Sequence, residues 1–403
     1  MRRAELKILI LSSSTGGGHD MRAQALEAWI ERECASTGMP IHARRIQTLE
    51  STSPLYAFGV KLYNWIQRNA PRLHHIYFGY LELAEMHRYA DAIIGGDRFA
   101  KKIHQANPDL VLSTHAHLNH GYFELCRRNA SAGMVRPPPC VTYCGELAGG
   151  YGFSRHWVNP RSDLFIGAVH ETCEQAADLG MPKERNNVGG FLLKPDFYQP
   201  KTPHEKAKEA LAGRWNLDVK KPIVLLATGA NSAGNHLECL KSLYEQKSNI
   251  QVLALCANHS KTLHHIQQWA DTHPSMPVVA IPRTEEMAFF MDGVDMLFAR
   301  PGTGTTSEAV MRTCPILFNT IGGIMPQEVP TIRYAHQHGF GMQAGTPNQM
   351  ARQTEQMLKQ ETWIQHRRAM RSAQPHAHPR DILQHLIELS TNVSLNPCQS
   401  NGR

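Results

Sequence analysis

Short apolar blocks recur along the chain, each followed by a polar or glycine-bearing turn and then by a segment with helical spacing. The first block, Lys7–Leu11, precedes a Ser/Gly-rich turn and a helical pattern over Met21–Glu33. Further blocks with the composition of buried strands lie at 109–113, 140–143, 164–169, 187–188, 223–227, 251–256, 278–281 and 296–299. Short continuous apolar strands that alternate with helices are typical of parallel sheets covered by helices on both faces.

The strand–helix alternation runs through two successive sets. This predicts an α/β protein made of two doubly wound, Rossmann-like domains with a cleft between them. We place the first domain at 1–195, a linker with one helix at 196–220, and the second domain at 221–370. Residues 371–391 are predicted to form a C-terminal helix that packs back on the first domain, and 392–403 a disordered tail.

Composition narrows the class of protein. The chain has 403 residues, of which 42% are hydrophobic and 19% charged, enough apolar material for a large core and unlike a disordered protein. Its apolar runs are far shorter than the ~18–20 residues of a membrane span. The nine cysteines are scattered, which favours reduced thiols in the cytoplasm over a disulfide framework. The net charge of +7 is consistent with binding to anionic partners and equally with a role in solubility alone.

A glycine-rich turn links the first strand to the first helix. Ser14-Thr15-Gly16-Gly17-Gly18-His19 allows close backbone approach to a ligand, and the helix start beyond it offers free N–H groups to an anion. Lacking Gly-Lys-Ser/Thr, it is not a Walker loop. One such turn predicts only the ligand edge of a parallel sheet, but three glycines followed by an ionisable histidine favour a functional loop.

The second domain has two further glycine-bearing loops that follow predicted strands, at 228–234 and 300–308. In the later loop, backbone N–H groups and threonine hydroxyls form a good lining for a diphosphate. We predict a helix that begins near Thr306, with Glu308 in its first turn. Glu308 there either accepts the two hydroxyls of a ribose or stabilises the helix start.

At this point the residues resemble a known family. Gly302–Ala309, followed downstream by Pro326-Gln327-Glu328, resembles the donor site of glycosyltransferases of the GT-B fold. The monogalactosyldiacylglycerol synthases and the processive diacylglycerol glucosyltransferases are the most similar groups, and the lipid II N-acetylglucosaminyltransferase is a more distant one. The Gly-Gly-Gly-His loop resembles the same group, and the resemblance extends from about Lys7 to His338.

The resemblance implies a UDP-sugar donor held by the second domain. Glu308 would bind the ribose, Gln327 and Glu328 the sugar hydroxyls, and the turn that ends at Arg283 the uracil. The residues implied in diphosphate binding are Gly229, Asn231, Ser232, Gly304, Thr305 and Thr306.

The resemblance also implies that the first domain binds the acceptor. His19 would take the proton of the attacking hydroxyl as a neutral imidazole, with inversion at the anomeric carbon. The residues implied on the acceptor side are Gly17, Gly18, His115 and Glu146. The family usually has Thr-Asp where this chain has Gly145-Glu146, and the longer carboxylate changes the acceptor pocket. No cofactor and no divalent metal are expected, and the sequence contains no Asp-x-Asp motif.

A histidine cluster supports a rival hypothesis. Thr114-His115-Ala116-His117-Leu118-Asn119-His120 nearly matches the zinc motif of metallo-β-lactamase-fold hydrolases, and imidazoles at such spacing can share zinc. Asn119 stands where that motif needs an aspartate, and the β/α order of the chain disagrees with that fold.

An aromatic and basic stretch lies at 56–80. Aromatic rings with basic neighbours suit a lipid headgroup interface, although the same rings could pack a helical hairpin around Pro71. The residues concerned are Tyr56, Phe58, Tyr63, Trp65, Tyr77, Phe78 and Tyr80, with Lys61, Arg68 and Arg72 between them.

Together these observations predict a hexosyltransferase that acts on a diacylglycerol-like lipid. It would be peripheral on an anionic membrane surface, at the cytoplasmic face of the cell membrane. Nucleic acid binding is not expected, since no stripe of Lys and Arg is present. The alternatives left open are a UDP-sugar 2-epimerase of the same fold, a zinc hydrolase and a non-catalytic lipid-binding relative.

Overall fold

The structure, a computed structural model, describes residues 5–38, 40–70, 73–85, 87–129, 137–227, 235–257 and 259–395. It divides into two compact units. The N-terminal unit comprises residues 1–66, 75–195 and 375–403, and the C-terminal unit comprises 67–74 and 196–374.

Twelve strands lie in the described part of the chain. They are β1 (Leu6–Ser12), β2 (Ile41–Gln47), β3 (Leu110–Ser113), β4 (Cys140–Cys144), β5 (Leu164–Gly167), β6 (Asn186–Val188), β7 (Ile223–Ala227), β8 (Gln251–Leu255), β9 (Val278–Ile281), β10 (Met296–Ala299), β11 (Ile316–Asn319) and β12 (Gln343–Ala344).

Sixteen α-helices in the same ranges connect or cover these strands. They are α1 (Gly18–Thr37), α2 (Thr48–Thr52), α3 (Pro54–Asn69), α4 (His74–Leu83), α5 (Gly96–Ala106), α6 (Gly121–Arg128), α7 (His170–Asp178), α8 (His204–Trp215), α9 (His236–Glu245), α10 (Ser260–Thr272), α11 (Met287–Gly293), α12 (Thr303–Arg312), α13 (Val329–Gln337), α14 (Pro347–Met357), α15 (Gln360–Ser372) and α16 (Pro379–Leu395).

The N-terminal sheet is parallel, with strand order β2-β1-β3-β4-β5-β6. Its central strands are apolar on both faces because helices cover both sides: Ile8 and Leu9 of β1 are each 1% exposed. On one face Leu9, Val111 and Phe99 belong to a single buried cluster. The last helix, α16, belongs to this unit and contacts α1.

The C-terminal sheet is also parallel, with order β12-β11-β10-β7-β8-β9. Strands β8 and β9 lie on one side of β7 and β10 to β12 on the other, so the strand order reverses at β7, as in dinucleotide-binding sheets. Val224, Met296 and Phe298 lie together in its core cluster. The predicted fold class, two doubly wound α/β domains, is confirmed.

Three strands and the ends of several helices differ from the sequence-based expectations. The edge strand β2 is rich in polar residues and β12 has only two residues, so neither gave an apolar block. The block of β11, Ile316–Asn319, is as long and apolar as several predicted strands and was overlooked. Helix α1 starts at Gly18, directly after the left-handed Gly17, and not at Met21. Helix α16 continues to Leu395, so residues 392–395, predicted as a disordered tail, are helical.

Within the described residues, no helix has both the length and the apolar character needed to cross a membrane. Eight of the nine cysteines lie in the described ranges, and none of these eight is in a disulfide.

Candidate functional site

The carboxyl ends of β1, β3 and β4 lie side by side at one edge of the N-terminal sheet. The chain leaves β1 toward β2 on one side and toward β3 to β6 on the other, so β1 and β3 mark the point where the strand order reverses. Ligands of open α/β sheets bind in the crevice at this switch point. The Gly-Gly-Gly-His loop follows β1, and Thr114 and His115 follow β3.

The glycine loop is held in a shape that only glycine adopts easily. Gly16 and Gly17 have φ angles of 65° and 82°, in the left-handed region. A Cβ on Gly17 would meet nothing within 4 Å, so backbone conformation, not crowding, requires this glycine. The loop is tied down by Glu50, whose Oε1 accepts from the N–H and hydroxyl of Ser14 at 2.7 and 2.6 Å.

His19 is fixed in one tautomer by the neighbouring strand end. Its Nδ1 lies 2.7 Å from the Thr114 carbonyl oxygen, and because a carbonyl only accepts, Nδ1 carries the proton. The Thr114 hydroxyl in turn donates to the His19 carbonyl oxygen at 3.1 Å. Nε2 therefore keeps its lone pair. Burial and the nearby Arg22 lower the pKa of His19 to about 4, so the ring is neutral at pH 7.

His115 packs against His19, with ring centroids 4.3 Å apart. Its Nδ1 accepts from the backbone N–H of His117 at 3.2 Å, so its proton lies on Nε2, which donates to the Thr15 hydroxyl at 2.9 Å. The Trp157 ring also packs against the His19 ring, with 5.7 Å between the ring centroids. His115 thus packs against His19 and is bonded to the glycine loop, and both of its ring nitrogens take part in hydrogen bonds.

A buried arginine and a buried carboxyl group complete this edge. Arg22, one turn after His19 on α1, is 7% exposed, and its Nη2 donates to the Gly145 carbonyl oxygen at 2.9 Å. Glu146 is 6% exposed. Burial raises the pKa of Glu146 to about 7, while Arg22 opposes the rise. The predicted acceptor-side residues Gly17, Gly18, His115 and Glu146 therefore all lie at this edge, in loops that meet at the carboxyl ends of β1, β3 and β4.

The remaining histidines of the cluster are packed as neutral rings. His117 lies 4.8 Å from His156 and 5.7 Å from His87, centroid to centroid. Burial lowers the pKa of His87 and His120 to about 4 and holds that of His117 well below its usual value. Asn119, at the position of the motif's aspartate, donates its amide to three backbone carbonyls. Within the ranges given above, no group of three His, Cys, Asp or Glu side chains could hold a metal ion, so the geometry lends the zinc hypothesis no support.

At the C-terminal sheet the strand order reverses between β7 and β10. The loop after β7, with the predicted donor residues Gly229, Asn231 and Ser232, lies outside the described residues. The loop after β10 leads directly into α12.

Helix α12 begins at Thr303, not near Thr306 as the sequence suggested, with Gly302 as its N-cap. The N–H of Thr306 bonds to the Gly302 carbonyl oxygen at 3.0 Å, so the earlier amides, including those of Gly304 and Thr305, point out of the helix start. The Thr306 hydroxyl is buried and has no hydrogen-bond partner among the described residues. Glu308 is therefore in the second turn, and it is 8% exposed.

Glu328 is anchored by Arg300, a residue that the sequence reasoning missed. Arg300 Nε donates to Glu328 Oε1 at 3.0 Å, Nη2 donates to Oε2, and the Met325 N–H also donates to Oε2 at 2.8 Å. Arg300 Nη1 donates to the Gly323 carbonyl oxygen at 2.8 Å. The pair thus fixes the loop after β11. Gln327 is half-buried, and its Oε1 has no partner within the described ranges.

Arg283 follows the edge strand β9. Its backbone N–H bonds to the carbonyl oxygen of Ala257, after β8, at 3.0 Å, while its guanidinium is exposed and pairs with Glu285. The backbone turn, more than the side chain, is thus the fixed part of the predicted uracil contact.

Two missed residues had a usable signal in the sequence. Arg22 lies in the first turn of the predicted helix, three positions after His19, and would share a face with it in a helix that starts at Gly18. Arg300 directly follows a predicted strand, where parallel sheets place their ligand groups.

The aromatic stretch is partly core and partly surface. Tyr56 and Phe78 are each 8% exposed, as expected for packing. Seven other apolar side chains, 37–81% exposed, form one stripe on α3 and one on α4, with spacings of three or four residues. Lys61 is also exposed, while the Arg68 side chain and Arg72 lie outside the described part. The stripes are Leu55, Phe58, Leu62 and Trp65 on α3, and Ile76, Tyr80 and Leu83 on α4.

No protein-family model matches the chain. Among curated proteins it is 22% identical over 358 residues, 86% of this chain and 64% of the relative, to the probable chloroplastic monogalactosyldiacylglycerol synthase of Glycine max. It is 25% identical over 201 residues, 49% of each protein, to the processive diacylglycerol beta-glucosyltransferase of Staphylococcus epidermidis. The chain thus spans about two thirds and one half of these relatives' lengths.

Solved structures share its architecture. MurG of Acinetobacter baumannii has a TM-score of 0.57 at 14% identity, over 96% of this chain and 99% of that one. The Anabaena protein HepE, solved with UDP-glucose, has a TM-score of 0.53 at 12% identity, over 96% of this chain and all of that one. The fold is therefore that of the GT-B glycosyltransferases. In sequence the chain is similar to proteins named as a monogalactosyldiacylglycerol synthase and a processive diacylglycerol beta-glucosyltransferase.

Proposed function

We propose that the chain is an inverting glycosyltransferase that moves a hexose from a UDP-sugar to the hydroxyl of a diacylglycerol-like lipid. The observation that carries the proposal is His19 at the switch point of the N-terminal sheet, with Nδ1 bonded to the Thr114 carbonyl and Nε2 left as a base. Relatives named for diacylglycerol glycolipids and a neighbour solved with UDP-glucose support the choice of acceptor and donor.

On the acceptor side, His19 acts as the general base. Its Nε2 takes the hydroxyl proton while the acceptor oxygen bonds to the anomeric carbon and the bond from that carbon to the UDP oxygen breaks. A single displacement of this kind inverts the anomeric centre. A neutral imidazole is required, and the lowered pKa of His19 keeps it neutral at pH 7.

On the donor side, the start of α12 would receive the diphosphate. Its outward amides, the positive end of the helix dipole and the buried Thr306 hydroxyl supply donors to the charge that develops on the leaving UDP. Glu308 would bind the ribose. Gln327 and Glu328 would bind the sugar hydroxyls, with Glu328 held in place by Arg300. Because these donors are supplied by the chain, we propose that UDP binds without a divalent metal.

The two exposed stripes on α3 and α4 would contact the membrane. Monomeric proteins seldom expose such apolar rows, and aromatic rings suit the headgroup region. We propose that this surface brings the protein to the inner face of the cell membrane, where its acceptor lies.

The decisive experiment measures UDP release and glycolipid formation. Purified protein is given UDP-glucose, UDP-galactose or UDP-N-acetylglucosamine with a short-chain diacylglycerol in mixed micelles, with EDTA present. We expect lipid-dependent UDP release with one donor and a product of inverted configuration. UDP binding by calorimetry in EDTA is expected as well, and its absence would remove the metal-independent donor site. A donor sugar epimerised without lipid would contradict the transferase assignment.

Membrane binding is tested with vesicles. The protein is expected to sediment with phosphatidylglycerol-rich vesicles at low salt and less with phosphatidylcholine alone. Phe58→Ser with Trp65→Ser should weaken this at least tenfold, whereas Leu179→Ser, an exposed leucine elsewhere on the same unit, should not. Equal sedimentation of the two variants would disprove the assigned surface.

A further inference from the structure

The two helices with exposed apolar stripes, α3 and α4, each carry a polar side chain on another face. Asn64 directly precedes Trp65 on α3, and Glu82 directly precedes Leu83 on α4. Consecutive residues of an α-helix do not face each other. Both polar side chains therefore lie beside the stripes and not within them. Both are half-buried, whereas Trp65 and Leu83 are 54% and 81% exposed.

Asn64 connects α3 to the glycine loop. Its Oδ1 accepts from the backbone N–H of Gly16 at 2.9 Å, and its Nδ2 donates to the Ser14 carbonyl oxygen at 3.2 Å. A single side-chain amide thus satisfies a donor and an acceptor of the same turn. Gly16 lies three positions before His19, so the backbone that leads to the base is fastened to a helix with an exposed apolar row.

Glu82 connects α4 to a second loop that contacts His19. Its Oε1 accepts from the Ser154 hydroxyl, and its Oε2 accepts from the backbone N–H of Arg155 at 3.0 Å. These two residues begin a short helical turn that ends at Trp157. The Trp157 ring packs against the His19 ring. Each of the two striped helices is therefore bonded to a loop that positions His19.

The loop contacts and the stripes can be satisfied at the same time, because they lie on different faces of each helix. Elements with few buried apolar contacts open at the low-stability end of a fold, and α3 and α4 leave their apolar rows exposed. Burial of these rows in a lipid surface restrains the helices. Once a helix is restrained, holding its loop costs less conformational entropy, so lipid contact favours the ordered arrangement around His19.

We propose that Asn64 and Glu82 are positioning residues for His19, through which contact of α3 and α4 with a lipid bilayer raises kcat. This inference rests on the proposed glycosyl transfer and membrane contact, and it adds a regulation of that same site. The bilayer then activates the protein in addition to presenting the acceptor. A purely structural role of the two side chains would affect the protein equally with and without lipid.

Hydrogen exchange followed by mass spectrometry measures the two connections separately, with and without phosphatidylglycerol-rich vesicles that contain no acceptor. In the unaltered protein, segments 13–18 and 153–158 should exchange about threefold more slowly, or slower still, when vesicles are present. Asn64→Ala should abolish this slowing at 13–18 and keep it at 153–158, and Glu82→Ala should do the reverse. Sedimentation with the vesicles should not change. Gln267→Ala, which removes an exposed amide on α10, is the matched control.

Turnover provides the second measurement, with saturating 1,2-dihexanoylglycerol below its micelle concentration as the acceptor. Vesicles should raise kcat of the unaltered protein by about fivefold or more, and a higher kcat at saturating acceptor does not come from local concentration. Asn64→Ala should lower kcat with vesicles about tenfold, the effect of losing two hydrogen bonds, without changing the Kd for UDP. Asn64→Asp keeps the acceptor for Gly16 and loses the donor to Ser14, so it tests the connection with a smaller loss if Asn64→Ala does not fold.

Two results would overturn the inference while measured transfer keeps the proposed function. One is the absence of vesicle-dependent slowing in the unaltered protein, and the other is loss of slowing at both segments in both alanine variants. An equal loss of kcat with and without vesicles in Asn64→Ala would also overturn it. The crossed exchange pattern without transfer to any lipid would support the connection between helices and loops and overturn glycosyl transfer.

Discussion

The carboxyl edges of the two sheets arise from the same kind of parallel, doubly wound topology but carry different chemistry. The N-terminal edge presents neutral imidazoles, a buried arginine and a carboxyl group with a raised pKa. The C-terminal edge presents the amides of a helix start, a buried threonine hydroxyl and an arginine–glutamate ion pair. Topology thus fixes where a ligand binds, while the side chains in the loops decide whether the edge handles protons or anions.

The comparison also predicts different responses to acid. Burial lowers the pKa of seven histidines in the described part of the N-terminal unit, among them His19, His87, His115, His117 and His120, and their neutral forms are the ones that the fold accommodates. Since their folded pKa values lie below the unfolded value of about 6.5, the associated stability is present above pH 6.5 and is lost as the pH falls toward 4.

The largest expected effect is therefore acid unfolding of the N-terminal unit. Each histidine with a folded pKa of about 4, such as His19, His87 and His120, loses roughly 1–2 kcal/mol of stability by pH 5.5. Several such groups together are a large part of the total stability of a domain. Hydrogen exchange followed by mass spectrometry between pH 8 and 5 should show protection lost first in the N-terminal unit. His117→Asn should move the midpoint to lower pH, and the exposed His264→Asn should leave it unchanged. Simultaneous loss in both units would contradict the assignment.

The next effect concerns catalysis. Asparagine at position 19 can still donate to the Thr114 carbonyl but offers no base, so His19→Asn should lower kcat by about 10²–10⁴-fold while the Kd for UDP changes less than twofold. His264→Ala is the matched control for turnover and calorimetry. A parallel loss of UDP affinity would show that His19 is not primarily the base.

At the C-terminal sheet, the role of Glu308 can be tested with a nucleotide that lacks one ribose hydroxyl. If its carboxylate binds the ribose hydroxyls, UDP should bind about 10–100-fold more tightly than 2′-deoxy-UDP. Glu308→Ala should abolish this difference. A variant that binds both nucleotides more weakly but keeps their ratio would assign Glu308 to the start of α12 and not to the ribose.

The smallest effect is a shift in pH dependence. If Glu146 acts on the acceptor side only when it is ionised, kcat/KM for the lipid acceptor should fall as the pH drops through about 7. Arg22 holds the pKa of Glu146 down. Arg22→Met should therefore move the acidic fall of kcat/KM to higher pH, and Arg22→Lys, which keeps the positive charge, should move it less. If the acidic side of the pH profile stays where it was in Arg22→Met, Arg22 does not influence the ionisation of Glu146.

Much of this arrangement could be predicted from the chain itself. Central strands such as Ile223–Ala227 and Met296–Ala299 were found at their predicted bounds, because strands buried on both faces must be continuously apolar. The edge strand β2 was missed because a half-exposed strand carries polar residues. That His19 and His115 belong to one site was implied by the resemblance, and the adjacent carboxyl ends of β1 and β3 bring the two rings together.

Other features depend on contacts between distant parts of the chain. The tautomer of His19 is set by a carbonyl 95 positions away, and the packing of Arg22 against Gly145 joins residues 123 positions apart. Glu328, expected at the sugar, is held by Arg300, and its role as a sugar ligand stays a prediction. Local patterns do not encode such pairings.

By itself, therefore, the sequence determined the strand–helix alternation, the two doubly wound units and the loops that bear the chemistry. These follow from periodicity and glycine placement, which act over short stretches of chain. Only the tertiary structure decided which imidazole nitrogen is free, which carboxyl group is paired and which is buried with a raised pKa. Protonation and hydrogen bonding depend on desolvation and on partners that folding brings together.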